Sequence, residues 1–242
     1  MEWLMRKTGF AVFIYVLSST IYGYTGHMEF SIAGGAALDD FDNLKLLVTS
    51  TETDTLHQTN DSRSAFISTI GLGYDFLMGP DYSCRIHDIL IGLNLYNVNL
   101  DNKGTVYQFE NPSLNNYDYD LPVYTTRLMF DVKVAAPAWH DLMPYLTAGI
   151  GMSWNRASYQ DYPSPEFVAP ITLNSREQLK FAYEAGVGVK SPLTQAVSVH
   201  AEYLYANLGH ARTSAYGNTQ VLSAVSVPLH VNSFLIGFDY IF

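Results

Sequence analysis

The stretch Asn232-Ser-Phe-Leu-Ile-Gly-Phe-Asp-Tyr-Ile-Phe242 closes the chain and decides how the rest is read. Counting back from Phe242, every second residue is large and apolar or aromatic: Tyr240, Phe238, Ile236 and Phe234. The positions between them hold Ile241, Asp239, Gly237, Leu235 and Ser233. Side chains of a strand alternate between faces, so this segment has one greasy aromatic face and one small or polar face. A water-soluble protein rarely ends on such a strand with its last aromatic ring exposed. Hydrocarbon outside and a polar interior inside suit it well.

The other end of the chain is consistent with export. Residues 1–26 read as a secretory signal with an uncertain cleavage site. Arg6 and Lys7 form a basic start, and Gly9–Leu17 is an apolar run followed by Ser18, Ser19 and Thr20. That run is too short to cross a bilayer as a helix, which takes about 20 residues. With these features the sequence resembles the small bacterial outer-membrane β-barrel proteins, the OmpA/OmpX-like eight-stranded barrel family without a periplasmic domain. The resemblance implies a Gram-negative outer membrane as the location. It also implies that the barrel assembly machinery reads Phe234, Ile236, Phe238, Tyr240 and Phe242 as an assembly signal.

Composition narrows the function classes. The chain has 242 residues, 18 Tyr, 13 Phe and 3 Trp, and a formal net charge of −10. Without residues 1–26 the balance is 11 basic against 22 acidic residues. A nucleic-acid partner needs a basic surface and is excluded on this ground. The aromatic content fits the girdles of a barrel, where amphipathic rings sit at the lipid headgroup level. The single cysteine, Cys84, rules out a disulfide within one chain, and no function is read for it.

Residues 27–242 read as one all-β domain, an antiparallel up-and-down transmembrane barrel. Eight strands are expected: Met28–Leu38, Ser64–Phe76, Asp88–Leu100, Val123–Ala135, Pro144–Arg156, Gln178–Lys190, Ala196–Ala206 and Leu229–Phe242. Each alternates and is long enough for a tilted membrane strand of about 9–11 residues. Segments 39–63, 101–122, 157–177 and 207–228 are long and polar, whereas 77–87, 136–143 and 191–195 are shorter and carry Pro80, Pro137 and Pro192. Alternating long and short connections are those of extracellular loops and periplasmic turns. A ten-stranded alternative would place a further hairpin within 207–228.

The face opposite the apolar one collects Glu29, Ser31, Asp75, Asn94, Tyr96, Arg127, Asp131, Lys133, Thr147, Asn155, Lys180, Glu184, His200, Glu202 and Asp239. An eight-stranded barrel is just wide enough for side chains to fill it. Charges there must pair, because an unpaired buried charge costs several kcal/mol. A lumen ion network of Arg127, Lys133 and Lys180 against Asp131, Glu184 and Glu202, joined by His200 and Asp239, is therefore expected.

No catalytic, cofactor or metal site is expected. Ser198, His200 and Glu202 share one inward face and resemble a hydrolase triad in composition only, and the seven histidines show no metal-ligand spacing. The reading is a non-enzymatic outer-membrane protein with a filled lumen, acting in membrane integrity or in surface adhesion and host interaction through four extracellular loops. A small channel or conduit for small or apolar molecules is the first alternative, and a lipid-modifying enzyme the second. Partners expected on the resemblance are outer-membrane lipid and lipopolysaccharide, the assembly machinery and a host or surface ligand.

Overall fold

Period-two alternation runs through nearly every element of the computed structural model, which describes residues 26–39, 44–58, 64–77, 86–163 and 170–242. The strands are β1 (Gly26–Leu38), β2 (Leu44–Leu47), β3 (Thr53–Gln58), β4 (Ser64–Leu77), β5 (Asp88–Tyr107), β6 (Tyr117–Ala135), β7 (Met143–Pro163), β8 (Thr172–Pro192), β9 (Val197–Arg212) and β10 (Ser226–Ile241). One 3-10 turn, Gln108–Glu110, follows β5. No helix among the described residues is long and apolar enough to cross a membrane. Of the segment read as a signal, residues 1–25 lie outside the described residues, as does Cys84, while Gly26 is the first residue of β1.

Eight of these strands form a closed antiparallel ring. β1 pairs with β4 on one side and β10 on the other. The ring continues from β10 through β9, β8, β7, β6 and β5 back to β4. Pairing of β1 with the terminal strand closes it, from Glu29↔Ile241 to Leu38↔Asn232, and Phe242 and Met28 exchange two backbone hydrogen bonds at the seam. Closure gives each of the eight strands two neighbours, as backbone groups that face hydrocarbon require.

β2 and β3 form a hairpin in the connection between β1 and β4, and β3 pairs with the outer end of β5 from Thr55↔Tyr107 to Gln58↔Gly104. The extra hairpin therefore arises in 39–63 and not in 207–228. Leu44, Leu46 and Leu56 alternate along it and are all buried, so this loop brings its own apolar face. Residues 213–225 instead make turns and two isolated bridges, Tyr216↔Gln220 and Leu173↔Gly217.

Most strands extend further than alternation of a membrane pattern foretells. β5 continues seven residues past Leu100, and β7 seven past Arg156. The reason is an inversion of phase. On β5 the outward residues Leu93 and Leu95 are apolar and exposed, opposite inward Asn94 and Tyr96. Beyond them Asn97, Asn99, Asp101 and Lys103 point outward, while Val98, Leu100 and Val106 are buried. The strand leaves hydrocarbon and enters water near Asn97, so its apolar side switches from outside to inside. The outward apolar belt likewise ends near Thr126 on β6, Trp154 on β7, Leu179 on β8, Tyr205 on β9 and Phe234 on β10.

Candidate functional site

The interior has two storeys. The inner one, level with the lipid belt, is charged. Arg127 (1% exposed) points from β6 into the barrel, with Nη2 3.1 Å from Glu184 Oε2 on β8. Its guanidinium lies 4.1 Å above the centre of the Tyr96 ring on β5, a cation–π arrangement. Asp131 accepts a 2.6 Å hydrogen bond from the Asn94 amide. Lys133 reaches Glu202 at 3.6 Å and sits over the Tyr145 ring. At the inner mouth Lys190 pairs with Glu29 and lies 3.6 Å from Asp239, whose other neighbour is His200 Nδ1 at 3.0 Å.

These placements distribute the expected network. Arg127, Lys133, Glu184, Glu202, Asp131, His200 and Asp239 all enter the inner storey. Lys180 does not: its stem packs on Gly209 of β9, at the outer edge of the membrane belt, and no salt bridge joins it to a described residue. The cation that completes the cluster is Lys190, ten residues along the same strand and on the same face. Glu29, Tyr96 and Tyr145 are the other participants that pairing arguments from the sequence did not name. The signal was present in the alternation, since all three are inward on strands whose outward face is apolar.

The outer storey is an apolar core. Val98, Leu100, Leu121, Val123, Leu208 and Val231 fill it, and the β2–β3 hairpin closes it with Leu44, Leu46 and Leu56. Val221 and Val225 pack beside them, and the amides of Leu222 and Ser223 donate to the Leu47 carbonyl. A lumen that is polar throughout was the expectation, and it holds for the inner half only. Charges occupy the lipid-flanked half, while the half standing above the membrane is packed like the interior of a soluble domain.

The roof carries two buried carboxylates. Asp54 of β3 accepts the Phe109 N–H at 3.1 Å, and Asp161 of β7 accepts the Ile171 N–H at 2.7 Å. Burial is the main cause that pushes each up to about 6, and Asp54 adds to the effect on Asp161 by like charge.

Two voids, of about 30 Å³ and about 10 Å³, lie among the inner-storey charges and are lined in part by Glu29, Leu90 and Lys133. The larger has room for an ordered water molecule, which needs about 10–15 Å³. Ser198, His200 and Glu202 are all buried here, and His200 bonds to Asp239. No hydrogen bond joins Ser198 to His200 among the described residues, and no group of His, Cys, Asp and Glu among them is arranged to hold a metal ion.

The aromatic residues of the terminal strand form one outward row. Phe234, Ile236, Phe238, Tyr240 and Phe242 are each at least half exposed to the outside of the barrel.

The model of the outer membrane protein beta-barrel domain matches residues 25–242. No curated protein sequence matches the chain. Among solved structures, it is similar to the outer membrane protease OmpT from Escherichia coli, at 11% identity over 89% of this chain and 97% of that one, with a TM-score of 0.48. Its similarity to the outer membrane protein OprG from Pseudomonas aeruginosa is 16% identity over 90% and 97%, with a TM-score of 0.45. For Neisserial surface protein A the values are 17% identity, 88% and 97%, and a TM-score of 0.39.

Proposed function

The chain belongs to the outer-membrane β-barrel family, and from that premise we propose that it is a sealed, non-enzymatic barrel of the bacterial outer membrane that works through its extracellular rim, in surface adhesion or host interaction. The filled interior carries this reading. A conduit needs a continuous path, and here ion pairs occupy the inner storey while an apolar core and a hairpin lid occupy the outer one. The inward Ser198, His200 and Glu202 are enclosed, and His200 is committed to Asp239, which favours a structural role over hydrolysis. The outer row from Phe234 to Phe242 is offered to lipid and, during insertion, to the assembly machinery.

Function then resides in what stands above the membrane, as is usual where loops ride on a rigid scaffold. The test is adherence of bacteria displaying the protein, to host-cell monolayers and to abiotic surfaces, before and after residues 108–116 and 213–225 are replaced by short Gly-Ser linkers. Loss of adherence with an intact heat-modifiable barrel is expected. Undiminished adherence in the trimmed protein would overturn the reading.

A further inference from the structure

The barrel wall opens at one place. Pairing of β8 with β9 stops at Tyr183↔Asn207, yet β8 continues outward to Thr172 and β9 to Arg212. β9 leaves its neighbour through Gly209, whose φ of 75° suits glycine, and leans across the barrel. Its Leu208 carbonyl accepts from Ser153 Oγ and Asn155 Nδ2 of β7, both at 2.8 Å. The two sides meet again at the top, where the Asn174 carbonyl accepts from the Ser214 amide, the Asn174 amide donates to the Tyr216 carbonyl, and Leu173 bridges to Gly217. Between these points residues 175–182 of β8 face residues 208–213 of β9 across an unpaired seam at the outer edge of the lipid belt.

Cations gather around that seam. Lys180 lies in it, against Gly209. Arg176 is exposed on β8, and Arg212 and His210 stand on β9. Arg156 of β7 bonds to Ser175 at 3.0 Å and Arg212 to Ser226 at 3.2 Å, both neutral partners. The carboxylate in this neighbourhood is Glu177, opposite Arg156 in the register. His210 is held below its ordinary pKa by burial and then by the positive charge of Lys180 and Arg212.

The rest of the rim has the opposite sign. Residues 39–63 and 101–122 carry ten acidic and three basic residues, whereas residues 157–182 and 207–228 carry three of each, with Arg156 just before them. Directly beneath the cations, Trp154, Leu179 and Phe181 present exposed apolar surface to hydrocarbon. Positive charge at headgroup height above an apolar wall is the footprint of an anionic amphiphile.

We infer that the β8–β9 seam is a binding site for the phosphate groups of an outer-leaflet lipid, held by Lys180, Arg176, Arg212 and Arg156, with its acyl chains on Leu179 and Phe181. This rests on the membrane placement above and not on the adhesive role of the rim.

The probe is lipid A. Full barrel in nanodiscs of zwitterionic phospholipid is titrated with bis-phosphorylated lipid A and with its dephosphorylated form, and retained lipid is counted by native mass spectrometry. The wild type should prefer the phosphorylated form by about tenfold or more, in line with ~1 kcal/mol for each basic side chain near a charged membrane surface. Lys180→Gln with Arg212→Gln should abolish most of that preference, and Lys45→Gln, on the acidic side, should leave it intact. A heat-modifiability gel checks that each variant is a folded barrel. If the first pair fails to fold, Arg156→Gln with Arg176→Gln carries the same test. Equal retention of both lipid forms, or an unchanged preference in the folded variant, overturns the assignment. Binding of heparin that exceeds lipid binding and is lost in the same variant would also overturn it, in favour of a soluble polyanion.

Discussion

Replacing Arg127 with alanine should destabilise the barrel more than any change on its outer face. Arg127 is 1% exposed, its Nη2 lies 3.1 Å from Glu184, and its guanidinium caps Tyr96. Glu184 and Asp131 flank Gly149 of β7 from its two sides, so the two carboxyls are close neighbours. Removing the cation leaves two carboxyls facing each other in a site that excludes solvent. Breaking a buried pair from one side costs about 3–5 kcal/mol, because the remaining charge is uncompensated. For a chain of this size, each kcal/mol corresponds to about 2–4 °C in midpoint, so a drop of roughly 6–20 °C is expected. Urea unfolding in lipid vesicles, followed by tryptophan fluorescence and by the compact band on cold gels, would measure it. Adding Glu184→Gln should recover a large part of the loss, since the orphaned charge goes with it, and the double-mutant cycle should give a coupling on the order of 2 kcal/mol. Leu146→Ala, facing lipid, serves as the outer control. An Arg127→Ala barrel within about 1 kcal/mol of wild type, or a cost indifferent to Glu184→Gln, would refute the paired-lumen argument.

Three further outcomes follow from the same geometry. Phe242→Ser with Tyr240→Ser should prevent accumulation of heat-modifiable barrel in cells, since β10 closes the ring against β1; wild-type amounts of folded double variant would contradict this. Leu46→Ala and Leu56→Ala, both fully buried in the hairpin, should each cost about 2–5 kcal/mol and expose the roof to added protease; unchanged protection would show that the hairpin is not docked. The third concerns pH at the roof. Asp54 and Asp161 are raised by burial from 3.8 to about 6, so their ionised forms are disfavoured in the folded protein. That penalty is present in full above about pH 6 and is relieved as pH falls from about 6 towards 4. Wild type should therefore gain stability between pH 8 and pH 5 relative to Asp54→Asn with Asp161→Asn; a relative loss over that range would reverse the sign of the argument.

Much of the architecture is legible in the alternation, and what is not has physical causes. The terminal strand and the eight membrane-crossing segments stand out because lipid demands an apolar outward face. The outward extensions of β5 and β7 do not, because their apolar face is the inward one, and Val106 lies beyond Asp101, Asn102 and Lys103 in what reads as a polar loop. The β2–β3 hairpin hides for a similar reason, its three buried leucines being dispersed among Lys, Thr, Ser and Asp. Lys180 and Lys190 are indistinguishable by parity. Depth separates them, and depth depends on where β8 parts from β9, which is a tertiary fact.

Single-channel recording of the purified full-length barrel in a planar bilayer, at both polarities, tests most directly whether the interior is closed. Ion pairs below and a packed apolar core above fill the interior, and the voids among the inner-storey charges are of about 30 Å³ and about 10 Å³. The recordings should show no resolved conductance steps after insertion has been verified by the heat-modifiable band. Reproducible ion-conducting steps from the wild-type protein would contradict a sealed barrel and return the molecule to the channel class.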